Sequence, residues 1–256
     1  MSLEPLRYES RHDGQIAWLT LDAPPGNVLD AAMVAAIRKR LVRLAAEPRV
    51  KLIVFEGAGR HFSFGASVEE HLPDRVAGML ADFHAMFRQL EALNVPTASV
   101  VRGQCLGGGC ELVTWTGRVV CDERTKLGQP EIRLGVFPPM ASVGLRYRVS
   151  QARATELVTT GAVIGAAEAL ACGLVDEVAT DPAAALEAWF QKALAPLSAS
   201  SIRFAWRAVR RPMAAALETD LPALEQLYLD ELMATEDPVE GLQAFLDKRT
   251  PVWSTP

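Results

Sequence analysis

Residues 100–111 read Val-Val-Arg-Gly-Gln-Cys-Leu-Gly-Gly-Gly-Cys-Glu, and this stretch decides the architecture of the chain. The apolar run Thr97–Val101 predicts a strand, and the pattern from Glu111 to Thr116 predicts a helix that the three glycines open. Glycine lets a backbone approach a ligand closely because it has no Cβ. Since unpaired N–H groups at a helix N-terminus attract negative charge, the stretch predicts a strand–loop–helix junction that presents main-chain donors.

Short apolar runs alternate with helical patterns through the first half of the chain, and helical patterns dominate from Ser142 onward. We therefore predict an α/β core over residues 1–195 and a C-terminal helical region over residues 196–256. The predicted strands are Tyr8–Ser10, Ile16–Leu21, Lys51–Glu56, Thr97–Val101 and Arg118–Cys121. The predicted longer helices are Val76–Leu93, Ala183–Ala195, Ile202–Arg210, Leu217–Ala234 and Pro238–Lys248.

Composition and charge exclude several classes of protein. The net charge of −5 argues against a nucleic-acid surface as the main function. No apolar run approaches the roughly 18 residues of a membrane span, and the N-terminus lacks the pattern of a signal peptide. The four cysteines lack CxxC spacing, which favours reduced thiols in the cytoplasm. The four histidines show no metal-ligand spacing, so no metal site is expected.

A second loop, residues 61–68, follows the predicted strand Lys51–Glu56 and reads His-Phe-Ser-Phe-Gly-Ala-Ser-Val. Ligands gather at the carboxyl ends of strands in α/β sheets, so this loop and Gly107–Gly109 would lie side by side. Each loop could then point one N–H at the same oxygen and stabilise an enolate or another oxyanion. The alternative is that the glycines serve only tight packing or a turn.

Glu111 lies about one turn into the predicted helix, and Glu131 follows Pro130 further along the chain. Two carboxyl groups near one apolar site cannot both ionise easily, so one of them tends to hold a proton. One could accept a proton from water while the other gives a proton to carbon. The alternative for each glutamate is an ordinary surface charge, and spacing alone does not bring the two together.

Several motifs together resemble the crotonase superfamily. They are residues 62–68, Gly-Gly-Gly-Cys-Glu-Leu at 107–112, Gly-Gln-Pro-Glu at 128–131, the Asn27-x-Leu29 loop, and segments 166–176 and 240–249. The matching motifs follow in order from about Asn27 to Arg249. The resemblance implies a crotonase-like spiral of ββα units and a C-terminal helical region used for trimerisation. It also implies a trimer or dimer of trimers and an acyl-coenzyme A substrate, with no cofactor beyond the CoA of that substrate.

The resemblance also implies roles for particular residues. Phe64 and Gly108 would supply two N–H donors to the thioester oxygen, and Glu111 and Glu131 match the glutamate pair of enoyl-CoA hydratases. Ala66 and Ser67 would border the adenine end of CoA. Phe245 and Lys248 match a pair that contacts CoA from a neighbouring subunit. The full set expected to bind substrate or CoA is Gly65, Ala66, Ser67, Phe137, Phe245 and Lys248.

The intact glutamate pair favours an enoyl-CoA hydratase, because an isomerase that moves one proton along a chain needs only one base. A double-bond isomerase and a non-catalytic CoA-binding member are the alternatives. Phe64 replaces a common alanine and Ser67 a common aspartate, while residues 135–142 carry two prolines where the family has a glycine-rich run. With these departures the sequence resembles the cyclic dienoyl-CoA hydratases. Phe64 and Phe137 would then flank the flat ring of such a substrate.

Overall fold

The computed structural model describes residues 4–23 and 25–254. Over these residues it forms nine strands. They are β1 (Leu6–Arg11), β2 (Ile16–Leu21), β3 (Leu52–Gly57), β4 (Thr97–Val101), β5 (Gln104–Leu106), β6 (Arg118–Cys121), β7 (Lys126–Gly128), β8 (Val163–Gly165) and β9 (Glu177–Val178). The larger sheet has the order β1-β2-β3-β4-β6-β9, and the smaller one has the order β5-β7-β8. In the larger sheet β1 and β2 pair antiparallel, and every other neighbouring pair is parallel.

The same residues form ten α-helices. They are α1 (Ala31–Leu44), α2 (Val76–Ala92), α3 (Gly108–Trp115), α4 (Pro139–Gly144), α5 (Gln151–Thr160), α6 (Ala166–Cys172), α7 (Pro182–Ala193), α8 (Ala199–Thr219), α9 (Leu221–Gln226) and α10 (Asp237–Leu246). A short 3-10 turn spans Pro130–Leu134, and α9 continues into a π-helical turn at Leu227–Glu231.

Successive turns of the chain each add one strand to each sheet and then a helical segment. β4 joins the larger sheet, β5 joins the smaller sheet, and α3 follows. The next turn repeats this order with β6, β7 and the 3-10 turn Pro130–Leu134. The preceding turn does so with β3, a single bridge from Ser63 to Cys105, and α2. This is the spiral of ββα units that the resemblance implies.

The larger sheet is buried on both faces, which explains why its parallel strands read as continuous apolar runs. Its main core lies against α1, α2 and α3, and a second cluster packs the other face against Leu186 and Phe190 of α7. Met213 and Leu217 of α8 belong to the main core. Helices α8 and α9 therefore share one hydrophobic core with the sheets, and the boundary at residues 195 and 196 stays a prediction.

Most predicted elements lie within one or two residues of the observed ones, with three differences. The helix α3 begins at Gly108 rather than at Glu111, because its glycines pack against the neighbouring loop. The helix α8 runs past Arg210 to Thr219, since the Arg210 guanidinium donates to the Glu91 carboxylate and to the Trp115 carbonyl (2.8 and 3.0 Å). The predicted helix Leu217–Ala234 is helical but divided: α8 ends at Thr219, α9 begins at Leu221, and π-helical and 3-10 turns continue it to Ala234.

All four cysteines lie within the described residues and are free thiols. Cys105, Cys110 and Cys121 are buried free thiols, and Cys172 is a partly buried free thiol. Within residues 4–23 and 25–254, none of the helices has the length and apolar character needed to cross a bilayer.

Asn27 fixes the loop that leads into the cleft at the edge of the sheet. Its side chain is 1% exposed, and its backbone has a φ of +47°. The Nδ2 atom donates to the carbonyl oxygens of Ala58, His61 and Phe62 at 3.0, 2.9 and 3.2 Å. The Oδ1 atom accepts a hydrogen bond from the Ala23 N–H at 3.1 Å. This buried amide therefore ties the loop before α1 to the loop after β3.

Candidate active site

The two glycine-containing loops predicted to be neighbours are paired through their backbones. The Phe62 N–H donates to the Gln104 carbonyl at 3.0 Å, and the Leu106 N–H donates to the Ser63 carbonyl at 3.0 Å. This pairing continues the smaller sheet and places Ala66 against Gly108. A Cβ built on Gly108 would lie 3.0 Å from the Ala66 nitrogen.

The hydrogen bonds of loop 61–68 decide which of its amides face the cleft. The Phe64 N–H donates to the Gly26 carbonyl at 2.8 Å, and the Gly65 N–H donates to Ser63 Oγ at 3.1 Å. Among the described residues, neither the Ala66 N–H nor the Gly108 N–H has a hydrogen-bond partner. The expectation that Phe64 supplies an oxyanion donor is therefore contradicted, because its N–H is already bonded. Ala66, expected only near the adenine of CoA, holds the free donor instead.

The triple glycine allows this close approach. Gly107 has a φ of +48°, and a Cβ on it would lie 2.8 Å from Glu131 Oε1. A Cβ on Gly109 would lie 2.6 Å from the Cβ of Ser63. Real Cβ contacts essentially never fall below 3.0 Å. Side chains at these positions would thus displace either a carboxyl group or the facing loop.

Glu111 projects from the first turn of α3 into the interior and is 5% exposed. Its Oε1 atom accepts a hydrogen bond from the Ala141 N–H at 2.9 Å, near the start of α4. Burial raises the pKa of Glu111 to about 7, against the opposing effect of the Ala141 and Met140 amides. This carboxyl group therefore exchanges a proton near neutral pH.

Glu131 lies in the 3-10 turn that follows β7, and its carboxyl group packs over Gly107. With the amide of Gln129 oriented as its neighbours require, the amide nitrogen donates to Glu131 Oε1 and to the Gly107 carbonyl, both at 3.2 Å. Burial raises the pKa of Glu131 well above its ordinary value, and repulsion from Glu111 raises it further. The structure thus brings the two predicted carboxyl groups to one site, where both do not ionise together.

Both glutamates line a single cavity of about 450 Å³. The predicted residues that also line it are Phe64, Gly65, Ala66, Gly108, Phe137 and Phe245. Most of the remaining wall is apolar, with side chains from α2, from residues 134–139 and from the C-terminal helices.

Two residues predicted to contact CoA lie outside the cavity wall. A third lines the cavity of its own chain, although it was expected to come from a neighbouring subunit. Ser67 and Lys248 do not line the cavity, so their contacts with CoA stay predictions. Phe245, expected to reach CoA from a neighbouring subunit, lines the cavity of its own chain although its side chain is 56% exposed.

Several polar residues in the wall were missed at the level of sequence, and His84 of α2 and Tyr228 are two of them. No local motif marks either residue. The histidine interacts with Glu225, which lies 141 positions away, so only the folded chain reveals the pair.

The arrangement suits proton transfer beside a carbonyl group. Two unpaired backbone N–H groups can hold an oxygen on which negative charge develops. Two buried carboxyl groups with raised pKa values can give and accept protons near that oxygen. Among residues 4–23 and 25–254, no cluster of three or more His, Cys, Asp or Glu side chains could hold a metal ion.

Comparison with known proteins places this site in a family. Residues 11–256 match the family model described as enoyl-CoA hydratase/isomerase. The chain is 45% identical over 249 residues to the cyclohexa-1,5-dienecarbonyl-CoA hydratase of Thauera aromatica, covering 97% of this chain and 96% of that protein. It is 36% identical over 254 residues to a probable enoyl-CoA hydratase of Rhizobium meliloti, covering 97% of each.

The fold agrees with these matches. A crystal structure of an enoyl-CoA hydratase from Mycobacterium avium subsp. paratuberculosis superposes with a TM-score of 0.82 at 26% identity, covering 98% of each chain. Since the family match spans nearly the whole chain and includes both loops and both glutamates, the protein belongs to the enoyl-CoA hydratase/isomerase family, within the crotonase superfamily.

Proposed function

We propose that this protein is an enoyl-CoA hydratase that adds water across the C=C bond of an α,β-unsaturated acyl-CoA. The observation that carries the proposal is one cavity lined by the buried Glu111, by the half-buried Glu131 and by two backbone N–H groups without partners among the described residues. The family match and the printed names of the relatives support it. The cavity is also large enough for a small acyl group.

In the proposed reaction the Ala66 and Gly108 N–H groups donate to the thioester oxygen. The carbonyl draws electrons from the C=C bond, and water attacks the β-carbon to give an enolate. The two N–H groups stabilise that enolate, an effect worth about 10²–10³ in rate per donor. Within the pair Glu111 and Glu131, the ionised carboxyl group takes a proton from water and the protonated one gives a proton to the α-carbon.

A cyclic dienoyl-CoA is the proposed substrate class. The relative from Thauera aromatica is named for such a compound. Phe64 and Phe137 both line the cavity, and Pro138 and Pro139 stiffen the wall next to Phe137. A flat ring can pack between aromatic and proline side chains with little loss of conformational freedom.

The proposal extends to the assembly of the protein and to its location. The chain would form a trimer or a dimer of trimers through residues 196–256, where the α8 side chains Phe204 and Val209 are 69% and 79% exposed. It would work in the cytoplasm and need no cofactor beyond the CoA of its substrate. Sedimentation velocity is expected to give the mass of three or six chains, and a purely monomeric protein would contradict the assembly.

The first prediction concerns the reaction and its substrate. Cyclohexa-1,5-diene-1-carbonyl-CoA and crotonyl-CoA are compared in water enriched in oxygen-18. The cyclic thioester should give the higher kcat/KM, and the product should carry the label. Faster turnover of crotonyl-CoA would contradict the ring substrate, and an unlabelled, isomerised product would contradict hydration itself.

The second prediction concerns Glu111. Glu111→Gln keeps the acceptor for the Ala141 N–H but removes the proton exchange, so kcat should fall by about 10²–10⁴. Because the native carboxyl group has a raised pKa, it keeps a proton that the unfolded chain releases between pH 4.5 and about 7. The wild-type protein therefore loses stability as the pH rises through that window.

Since the variant escapes this loss, its free energy of unfolding should exceed that of the wild type by about 3 kcal/mol at pH 8. The difference should vanish at pH 4. Urea unfolding at the two pH values measures it, with Glu123→Gln on the exposed surface as the control. A variant that stays active, or that is less stable than the wild type at pH 8, would refute the assignment.

The third prediction tests the contact between the two backbones. The methyl group of Gly108→Ala would lie 3.0 Å from the Ala66 nitrogen and 3.2 Å from Phe83 Cζ, which forces the two N–H donors apart. We expect kcat to fall about 10²-fold with a smaller change in KM. Gly78→Ala is the matched control, because its methyl group meets open space on α2. Retention of kcat within threefold in Gly108→Ala would contradict the requirement for a close approach between Gly108 and Ala66.

A further inference from the structure

His84 presents an unpaired nitrogen in the cavity wall. Its side chain is buried, and its Nδ1 atom lies 2.6 Å from Glu225 Oε1. Arg88 Nη2 contacts the same carboxylate oxygen at 3.4 Å. Because an ionised carboxylate only accepts hydrogen bonds, Nδ1 carries the proton. Burial lowers the pKa of His84 and keeps the ring neutral, so Nε2 is left as a buried acceptor without a partner among the described residues.

Tyr228 presents a second unpaired group in the same wall. Its side chain is 1% exposed, and its hydroxyl group is buried without a partner among the described residues. Tyr228 follows Glu225 by three positions in a continuous helical segment, so the two side chains share one helix face. Its ring packs on Phe137 with 5.3 Å between ring centroids and clusters with Leu80, one turn before His84 on α2.

Tyr228 also lies near the reacting groups. Burial raises the pKa of its phenol, and the carboxyl groups of Glu131 and Glu111 raise it further, so the hydroxyl group keeps its proton. His84 and Tyr228 therefore line the same cavity as the two glutamates, and each carries a buried polar atom without a partner among the described residues.

Unpaired polar atoms in an apolar wall are costly. Each buried donor or acceptor without a partner destabilises a protein by about 1–3 kcal/mol, and native structures hold few of them. Two such groups in one cavity indicate that a ligand atom completes their hydrogen bonds. The nitrogen needs a donor, whereas the phenol can donate, so the complementary group is an oxygen that both donates and accepts.

We propose that His84 Nε2 and Tyr228 O–H form a subsite that binds one hydroxyl oxygen in the acyl part of the cavity. A ketone oxygen does not fit, because it offers no proton to His84 Nε2. A carboxylate does not fit either, because it also lacks the proton and lies near Glu111 and Glu131. The hydroxyl oxygen comes from a substituent on the acyl group or from a water molecule held there. This inference rests on the proposed function, which supplies the CoA thioester.

Equilibrium binding tests the subsite without requiring turnover. Calorimetry compares hexanoyl-CoA with its 4-, 5- and 6-hydroxy derivatives on the wild-type protein, His84→Asn, Tyr228→Phe and the double variant. His84→Asn keeps an amide donor for Glu225 and removes the second ring nitrogen, and Tyr228→Phe removes only the hydroxyl group. Tyr147→Phe is the control, because its hydroxyl group donates to the Pro212 carbonyl outside the cavity.

The wild-type protein should bind at least one hydroxylated thioester roughly fivefold or more tightly than hexanoyl-CoA, as one or two hydrogen bonds predict. Each single variant should abolish that preference. The double variant should lose no more than either single variant, because both groups hold the same oxygen. The control should keep the preference.

The other outcomes are equally informative. If no hydroxylated thioester is preferred but both variants weaken hexanoyl-CoA binding equally and non-additively, the bound oxygen is a water molecule. A preference that survives in both variants, additive losses, or no effect on any thioester would overturn the subsite. Hydration of cyclohexa-1,5-diene-1-carbonyl-CoA is assayed on the same samples. Its absence in the wild-type protein would refute the proposed function, while the binding series would still decide the subsite.

Discussion

The close approach of two backbones, at Ala66 and at Gly108, is the constraint on which the site depends. A Cβ on Gly108 would come within 3.0 Å of the Ala66 nitrogen, so a side chain at that position would part the loops. In the loop that holds Ala66, the Phe62 carbonyl accepts a hydrogen bond from Asn27 Nδ2 and Ser63 Oγ accepts one from the Gly65 N–H. The same loop pairs with β5 through the bridge between Ser63 and Cys105. Ala66 and Gly108 therefore both line the cavity, and neither N–H group has a hydrogen-bond partner among the described residues.

The burial that creates this cavity also sets the chemistry of its carboxyl groups. Glu111 and Glu131 are held away from water, so the pKa of each rises and one tends to keep a proton. Apolar side chains at these two positions would avoid the cost of burying carboxyl groups. The cost to stability at neutral pH is the physical consequence of keeping an acid and a base beside one oxyanion site.

The cavity wall shows a second departure from simple apolar packing. His84 and Tyr228 keep buried polar atoms without partners among the described residues, although leucine and phenylalanine would fill the same positions without that penalty. The Glu225 and Arg88 contacts fix the orientation of the His84 ring. Polar groups that are both oriented and unsatisfied are typical of a binding surface, and here both residues line the cavity that holds the two glutamates.

The sequence by itself determined the alternation of strands and helices, the glycine junction at residues 107–109 and the pair Glu111 and Glu131. Each of these has a local signal in apolar periodicity, in glycine or in the motif around it. Only the tertiary structure decided that Phe64 lacks a free N–H while Ala66 has no partner among the described residues, because the Phe64 N–H donates to the carbonyl of Gly26 in a separate loop. It also decided where the C-terminal helices break and that His84 meets Glu225, since such contacts arise between segments far apart in the chain.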